Sequence, residues 1–167
     1  IKAPTEVQIF PPVWWPETPR FQNFVDAWES APFGRFYINS VIVVSAGVVL
    51  EVLIAALSAY AFARIRFRFR ETLFIVMLAA MMIPGQVALI PNYVTLKHLG
   101  WINTYAGLVI PHVSSVFGAF LLRQAFLAMP AELFDAAHID GLGHLRCMLS
   151  IAVPLARPVV ATLALYL

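Results

Sequence analysis

The sequence predicts an all-α protein, a polytopic bundle of transmembrane helices. Three observations carry this prediction. Hydrophobic residues make up 61% of the 167 residues and charged residues only 12%, whereas soluble domains hold about 45–50% apolar and about 25% charged residues. The apolar residues are gathered into four long runs, each close to the length that a helix needs to cross a bilayer. A net charge of +2 and a single cysteine, Cys147, leave no surplus of basic residues for nucleic acid and no internal disulfide.

The first 38 residues differ from the rest of the chain. They contain six prolines, a density that prevents a long helix, and three tryptophans, a residue type that favours the membrane–water interface. Residues 21–30 are expected to form a short amphipathic helix. We therefore interpret residues 1–38 as a segment outside the membrane that leads into the first span.

Four membrane spans follow this segment, within a transmembrane domain over residues 39–167. The predicted spans cover residues 41–62, 72–90, 105–127 and 151–167, with a polar loop over residues 128–150. The last run has 17 residues, and as a helix it reaches about 25 Å, short of the ~30 Å hydrocarbon core. We therefore expect the chain to be the middle of a longer membrane protein, with a further segment at each end.

Basic residues set the predicted orientation. Residues 64–71 contain four arginines, whereas residues 91–104 contain one lysine. Because positive residues favour the cytoplasmic side, residues 64–71 are predicted to be cytoplasmic and residues 92–103 external. Alternation then places residues 130–148 inside and residues 1–36 outside. A missing first helix is the simplest way to carry the external segment across the membrane.

The loop over residues 128–150 is too polar to span the membrane, and its pattern predicts a short helix. Pro130 suits the first helical position, and Glu132 favours the first turn through the helix dipole. Gly141 is a natural stop for this helix. A short helix between two spans, with small side chains on one face, is expected to sit in a groove of another protein.

Three residues of this helix are expected to meet the partner protein. Ala136 and Ala137 permit close approach to a neighbouring surface because their side chains are small. Asp135 offers a negative charge to a basic residue of the partner. The contact is therefore predicted to combine close packing with an ion pair.

From Asp135 to Pro154 the sequence resembles the EAA motif of ABC importer permeases. In that motif Glu-Ala-Ala is followed by Gly after three residues and, nine residues later, by Ile-x-Leu-Pro. Here Asp135-Ala136-Ala137, Gly141 and Ile151-Ala152-Val153-Pro154 keep this spacing, with Asp in place of Glu and Val in place of Leu.

Shorter motifs narrow the resemblance. Over residues 36–167 they are similar to the carbohydrate-uptake permeases of the maltose and glycerol-phosphate type, specifically to the shorter of the two permease subunits. In chain order they are Asn39-Ser40, Ala59-Tyr60-Ala61-Phe62-Ala63-Arg64, Met82-Ile83-Pro84, Ile90-Pro91-Asn92-Tyr93, Leu99-Gly100, Asn103-Thr104, Gly107-Leu108 and Phe120-Leu121-Leu122-Arg123-Gln124. Several independent motifs in one order make the resemblance specific.

The resemblance implies the type I ABC importer fold, with about four of six spans present, in the cytoplasmic (inner) membrane of a bacterium or archaeon. It implies as partners a second homologous permease, two ATP-binding cassette ATPase subunits and an extracellular or periplasmic solute-binding protein. The solute is a sugar or a related polar compound, or alternatively glycerol phosphate or a glycerophosphodiester. The residues implied to couple ATPase closure to alternating access are Glu132, Asp135, Ala136, Ala137, Asp140 and Gly141.

No catalytic role is expected of this chain. It contains no Gly-x-x-x-x-Gly-Lys-Ser/Thr sequence, so ATP and Mg²⁺ are expected to bind to the partner subunits and no cofactor to this chain. Two other classes of function stay open, an intramembrane enzyme and a passive channel. An intramembrane enzyme would have only His112 with Ser114 as an approximate base and nucleophile, and a passive channel would not need the Asp-Ala-Ala loop. A metal site is disfavoured, because its candidate ligands spread around the predicted helix and past a glycine. These candidates are Asp135, His138, Asp140 and His144.

Three residues are candidates for the solute pathway, Glu51, Gln86 and Asn92. Glu51 lies in the middle of a span, where a charge costs about 2.5–3.5 kcal/mol on insertion scales, so it is expected to face protein or water. It serves either the pathway or a contact between helices. The sequence Pro84-Gly85-Gln86 either breaks its helix to line a cavity or forms a packed kink. The arginines of residues 64–71 are interpreted as a topology signal.

Overall fold

The computed structural model describes residues 2, 10–12, 14, 15 and 18–167. The all-α prediction is confirmed, because the described residues form helices and turns with no strand. The chain divides into two compact units, Ile1–Ile42 and Val43–Leu167. Part of the predicted extramembrane segment, residues 1, 3–9, 13, 16 and 17, lies outside the described residues.

The first unit contains helix α1, Gln22–Glu29, where the sequence predicts a short helix over residues 21–30. An aromatic cluster follows this helix. The ring of Trp28 stacks against those of Phe33 and Tyr37, with both centroid distances at 5.9 Å. The side-chain amide of Asn23 donates a hydrogen bond of 2.8 Å to the carbonyl of Lys2. Aromatic stacking and one long-range hydrogen bond therefore hold this segment in place.

Helix α2 covers Phe33–Arg64 and contains the predicted first span, residues 41–62. Its 32 residues reach about 48 Å at ~1.5 Å per residue. Among the described helices it alone is long and apolar enough to cross a bilayer unaided. Ala55, Ala59 and Ala63 are buried and lie four residues apart, so one stripe of small side chains packs against other helices of the second unit.

The next helical stretch is broken in its middle. In chain order it consists of α3 (Arg70–Ala79), a 3₁₀ turn (Ala80–Met82), a second 3₁₀ turn (Gly85–Ala88) and α4 (Leu89–His98). Ile83 is extended, as the residue before a proline prefers, and Pro84 has no N–H to continue the helix. The two halves meet at 86°. The residues predicted as the span 72–90 therefore fall on two separate pieces, and Pro84 breaks the helix instead of kinking it.

The third stretch bends by 50°. It consists of α5 (Tyr105–Val109), a 3₁₀ turn (Ile110–His112) and α6 (Val116–Leu127). The hydroxyl of Ser115 caps α6 by accepting a hydrogen bond of 2.9 Å from the N–H of Gly118. Gly118 permits a close approach, because a Cβ there would lie 3.0 Å from the Leu163 side chain and 3.2 Å from the Ala55 Cβ.

The elements after α6 are all short helices and helical turns. They are α7 (Ala131–Ile139), α8 (His144–Cys147), a π-helical turn (Met148–Ala152), α9 (Val153–Leu155) and α10 (Arg157–Tyr166). Pro154 cannot donate a backbone hydrogen bond. The wide π-helical turn, which ends two residues before it, accommodates the missing hydrogen bond. The chain then bends by 81° before α10. If each bent pair of helices crosses as one unit, the described residues hold up to four spans by length and composition.

The core of the second unit lies where α2, α6 and the segments from α7 to α10 meet. Its largest fully buried side chains are Leu122, Phe126, Cys147, Met148 and Leu163. Phe134 and Ala137 of α7 belong to the same cluster. The short helix α7 is therefore packed onto the ends of the long helices as part of one core.

Candidate coupling site

Helix α7 is the short helix that the sequence predicts in the polar loop. It begins at Ala131, one residue later than expected, since Pro130 precedes the first helical residue. Glu132 lies in the first turn, where a carboxylate is favourable to the helix dipole. The helix therefore starts directly after a proline, which needs no N–H partner, and has an acidic residue in its first turn.

The end of α7 is a Schellman turn centred on Gly141. The N–H of Leu142 donates to the carbonyl of Ala137 at 2.9 Å, and the N–H of Gly141 donates to that of His138 at 3.0 Å. Gly141 has φ +82°, a left-handed conformation that glycine adopts without steric cost. The backbone therefore favours a glycine at the predicted stop, where the Schellman turn ends the helix.

The two alanines of the motif face different surroundings. Ala136 is exposed, as expected of a residue that meets a partner. Ala137 is only 6% exposed and Phe134 only 4%, because both pack into the core of the second unit. Because consecutive helical residues point about 100° apart, Ala136 faces outward while Ala137 is turned inward. The expectation that both alanines contact another protein stays a prediction.

The outward face of α7 is apolar at its centre and acidic at its ends. Ile139 is 87% exposed and Leu133 is also exposed. Glu132, Ala136 and Asp140 are exposed as well and fall on the same side of the helix by their spacing. An exposed apolar patch rimmed by charge on such a short helix is typical of a protein–protein contact.

Asp135 lies at the margin of this face, beside a polar groove. The groove has a volume of about 730 Å³, and its charged and polar lining consists of Arg64, Arg66, Arg70, Asp135, His138 and His144. Within the described part of the chain Asp135 forms no ion pair. Its exposed carboxylate interacts electrostatically with Arg64 across the groove and faces the solvent, where a basic group from outside the chain can reach it.

Arg64 at the end of α2 holds α7 in place, a role that the sequence did not reveal. Its guanidinium donates hydrogen bonds to the carbonyls of Phe126 and, at 2.7 Å, Met129 at the end of α6. The same guanidinium lies 4.0 Å above the ring of Phe134. One side chain therefore joins the ends of α2 and α6 to the inward face of α7.

Arg123 makes the reciprocal contact from α6 to α2. Its Nε donates to the carbonyl of Phe62 at 3.2 Å, and its guanidinium lies 3.9 Å above the ring of Phe74. It also forms an ion pair of 2.8 Å with Glu71 on α3. Arg123 is 8% exposed. Each of the two helices thus places an arginine on the carbonyls at the other's carboxyl end, where a cation is favourable.

Two histidines connect α7 to α8 across the Gly141 turn. The Nδ1 atom of His138 contacts the carbonyl of Phe134 and therefore carries the hydrogen that it donates. The Nε2 atom of His138 lies 3.4 Å from the Nδ1 atom of His144. The ring of His144 packs against Tyr60 of α2. Among the described residues no three histidine, cysteine or acidic side chains are grouped to hold a metal ion.

The three residues predicted for the solute pathway are not brought together. Glu51 lines a small groove of about 170 Å³ with Gly47, Val109 and His112. Gln86 lies in the 3₁₀ turn after the helix break, and Asn92 lies on α4, both exposed. Neither of them lines the groove that holds Glu51.

Comparison with known proteins identifies relatives along most of the chain. Residues 51–167 match the family described as "Binding-protein-dependent transport system inner membrane component". The chain is 36% identical over 153 residues to the diacetylchitobiose uptake system permease protein of Streptomyces coelicolor, covering 90% of this chain and 51% of that protein. It is 40% identical over 129 residues to the sn-glycerol-3-phosphate transport system permease protein of Agrobacterium fabrum, covering 77% of this chain and 46% of that protein.

A solved structure shares the fold. It is a bacterial ABC transporter involved in the import of the acidic polysaccharide alginate, with a TM-score of 0.80 and 25% sequence identity. The match covers 90% of this chain and 53% of that chain. The chain spans about half the length of the curated relatives it matches.

Proposed function

Since the chain belongs to the family of binding-protein-dependent transport system inner membrane components, we propose that it is a permease subunit of an ATP-driven importer. In this proposal α7 docks on a partner ATPase and transmits its closure to the membrane helices. The observation that carries the proposal is the division of α7 into two faces. Phe134 and Ala137 fix one face to the protein's own core, while Leu133, Ala136 and Ile139 are exposed on the other.

The Arg64 contacts support this route for force. A push on the outward face of α7 reaches Phe134, which lies under the Arg64 guanidinium. Arg64 also holds the carbonyls of Phe126 and Met129, so displacement of α7 acts on the ends of α2 and α6 together. A short helix attached this firmly moves with the spans as one body.

The partners follow from the same proposal. The chain has no nucleotide-binding motif, so two ATPase subunits bind and hydrolyse ATP with Mg²⁺, and this chain has no enzymatic role. A second homologous permease completes the membrane pathway, and a solute-binding protein delivers the solute from outside. The assembly resides in the cytoplasmic membrane of a bacterium or archaeon.

For the transported solute we propose an oligosaccharide or a related polar compound. The names of the diacetylchitobiose and alginate systems support this class. Glycerol phosphate is the second candidate, supported by the name of the 40% identical relative. Uptake of labelled chitooligosaccharides and of labelled glycerol phosphate, measured side by side in proteoliposomes with the cognate binding protein, separates the two.

The test of the coupling proposal is Ala136→Trp in the complete importer. The large indole should block close approach at the outward face of α7, so solute-stimulated ATP hydrolysis and uptake should both fall at least tenfold. Ala136→Ser is the matched control, because it keeps the small size and should retain wild-type rates. Wild-type transport by the Ala136→Trp importer would contradict the proposal. Solute flux without ATP would instead indicate a passive channel.

A further inference from the structure

Four arginines alternate along the chain from the end of α2 to the start of α3, and only some of them have partners within the protein. Arg64 is engaged with backbone carbonyls at the end of α6. Arg70 is paired with Glu71 at 2.9 Å. Arg66 and Arg68 are exposed, and within the described residues neither has an ion-pair or hydrogen-bond partner. Two guanidinium groups are therefore available to a ligand from outside the chain.

These two arginines lie at the depth of the lipid headgroups if α2 crosses the membrane as predicted. The apolar run over residues 41–62 has 22 residues, which as a helix reach about 33 Å, close to the ~30 Å hydrocarbon core. Arg66 follows the end of this run by only four residues. An anionic group at this depth is the phosphate of a phospholipid.

A groove beside Arg66 offers space for such a group. It has a volume of about 440 Å³ and is lined by Arg66, Phe67, Phe69, Arg70, Glu71 and Thr72. The carboxylate of Glu71 does not repel an anion here, because Arg70 holds one of its oxygens and Arg123 the other. The groove therefore combines positive charge with a hydroxyl and aromatic rings.

Phe69 is held in an unusual backbone conformation that turns its ring outward. Its φ is +62°, in the left-handed region that glycine favours and phenylalanine rarely adopts. Its side chain is 61% exposed. The guanidinium of Arg68 lies 4.7 Å above its ring. An exposed aromatic ring beside an arginine suits the interface between the hydrocarbon and the headgroups.

We propose that Arg66 and Arg68, together with the ring of Phe69, bind the headgroup of an anionic phospholipid in the cytoplasmic leaflet. The guanidinium groups bind the phosphate through charge-assisted hydrogen bonds, and the ring lies among the upper acyl segments. Arg66 lines both this groove and the polar groove beside Asp135, whereas Arg68 lies outside both linings and contacts the ring of Phe69. The site does not depend on the transported solute. It rests on the predicted cytoplasmic position of residues 64–71.

The test uses the complete importer in nanodiscs that contain photoactivatable phosphatidylglycerol or phosphatidylcholine at equal fractions. Cross-linked peptides are then measured by mass spectrometry. The wild type should give severalfold more cross-linking with phosphatidylglycerol over residues 65–72, because a juxtamembrane arginine contributes a factor of up to about five in binding to an anionic surface. Equal yields with both lipids would overturn the proposal.

Variants separate the specific site from general attraction. Arg66→Gln with Arg68→Gln should remove the preference for phosphatidylglycerol, while Arg66→Lys with Arg68→Lys should keep most of it and the membrane orientation. Arg146→Gln is the matched control, since Arg146 is exposed on a segment predicted to lie on the same side, and it should leave the cross-linking unchanged. Persistence of the preference in the double Gln variant would contradict the assignment.

A free phosphate compound has the same headgroup chemistry and is tested directly. Soluble glycerol phosphate at millimolar concentration should not reduce the cross-linking, because it lacks the acyl chains that bring the headgroup to the groove. Displacement by the soluble compound would assign the site to a soluble anion and overturn the lipid proposal. Loss of uptake in Ala136→Trp, with cross-linking intact, would keep this result separate from the coupling test.

Discussion

Arg64 on α2 and Arg123 on α6 make reciprocal contacts between the two helices. Each lies near the carboxyl end of its own helix and donates to carbonyls at the end of the other. The last four carbonyls of a helix lack their usual partner four residues later. The carbonyl of Phe126 accepts from the N–H of Met129 at 3.3 Å as well as from Arg64. Arg64 also contacts Phe134, so the contacts between α2 and α6 include α7 as well.

The first prediction concerns Arg64. Arg64→Met should lower the unfolding free energy by about 1–3 kcal/mol, because it removes the charged donor that binds the carbonyls of Phe126 and Met129. It should also reduce solute-stimulated ATP hydrolysis more than basal hydrolysis. Arg64→Lys keeps the charge but loses the planar guanidinium that lies over the ring of Phe134, so it should recover only part of the loss. Thermal unfolding and ATPase assays of the complete importer measure both effects.

The comparison that decides this prediction is with Arg68→Met. Arg68 lies four residues away, outside the groove beside Asp135, and has no ion-pair or hydrogen-bond partner among the described residues, so its removal should leave thermal stability and coupling unchanged. Equal destabilisation by the two variants would show that charge at this loop, and not the Arg64 contacts, is what matters.

Residue type alone could not distinguish these arginines. All four arginines of residues 64–71 follow an apolar run at two-residue spacing, a pattern that indicates membrane orientation and gives no information about partners. The partners of Arg64 lie about 60 residues later in the chain, on α6 and the loop after it. A contact so distant along the sequence depends on the packing of the helices, which hydrophobic periodicity does not specify.

At the scale of elements, α7 was largely predictable and its orientation was not. A proline at the start, an acid in the first turn and a glycine after the end define the helix from local sequence. The helix is apolar or small on nearly every side, however, with Leu133, Phe134, Ala136, Ala137 and Ile139 spread around its axis. The inward face is selected by Phe134, the largest of these side chains, and this choice turned Ala137 inward with it.

The second prediction concerns the turn that ends α7. Gly141→Ala should cost about 1–2 kcal/mol, because φ is +82° there and a Cβ disfavours the left-handed region. The loss is due to the backbone alone, since no atom lies within 4 Å of where the Cβ would be. The variant should insert into the membrane normally and show weaker ATPase coupling. Limited proteolysis of the loop and ATPase assays measure the change.

Gly143→Ala provides the matched control two residues away. Gly143 also has open space around the position of a Cβ, but its φ is −74°, which any residue adopts. The same chemical change should therefore leave both proteolysis and coupling unaffected. Equal effects at the two glycines would indicate that the flexibility of the loop, and not the Schellman turn, governs docking.

For the whole molecule, the asymmetry of arginine and lysine is the physical basis of the predicted orientation. The structure sharpens this argument, because Arg66 and Arg68 are free to remain at the headgroups, while Arg64 joins α2 to α6 and Arg70 pairs with the adjacent Glu71. The segment over residues 91–104 carries a single lysine, Lys97, on α4. Transfer of Arg66 and Arg68 across the hydrocarbon core would be costly, and the preference of basic residues for the inside predicts a cytoplasmic position for their loop.

The last prediction tests this orientation by cysteine labelling, for which the chain is well suited. Its only cysteine, Cys147, is fully buried, so wild-type protein should not react with a membrane-impermeant maleimide in intact cells. Lys97→Cys should react from outside, because residues 92–103 are predicted to be external. Arg68→Cys should react only after the membrane is permeabilised, since three arginines remain to hold the loop in the cytoplasm. Labelling of position 68 but not position 97 in intact cells would reverse the topology, and it would place α7 on the side of the membrane where no ATP-driven partner can reach it.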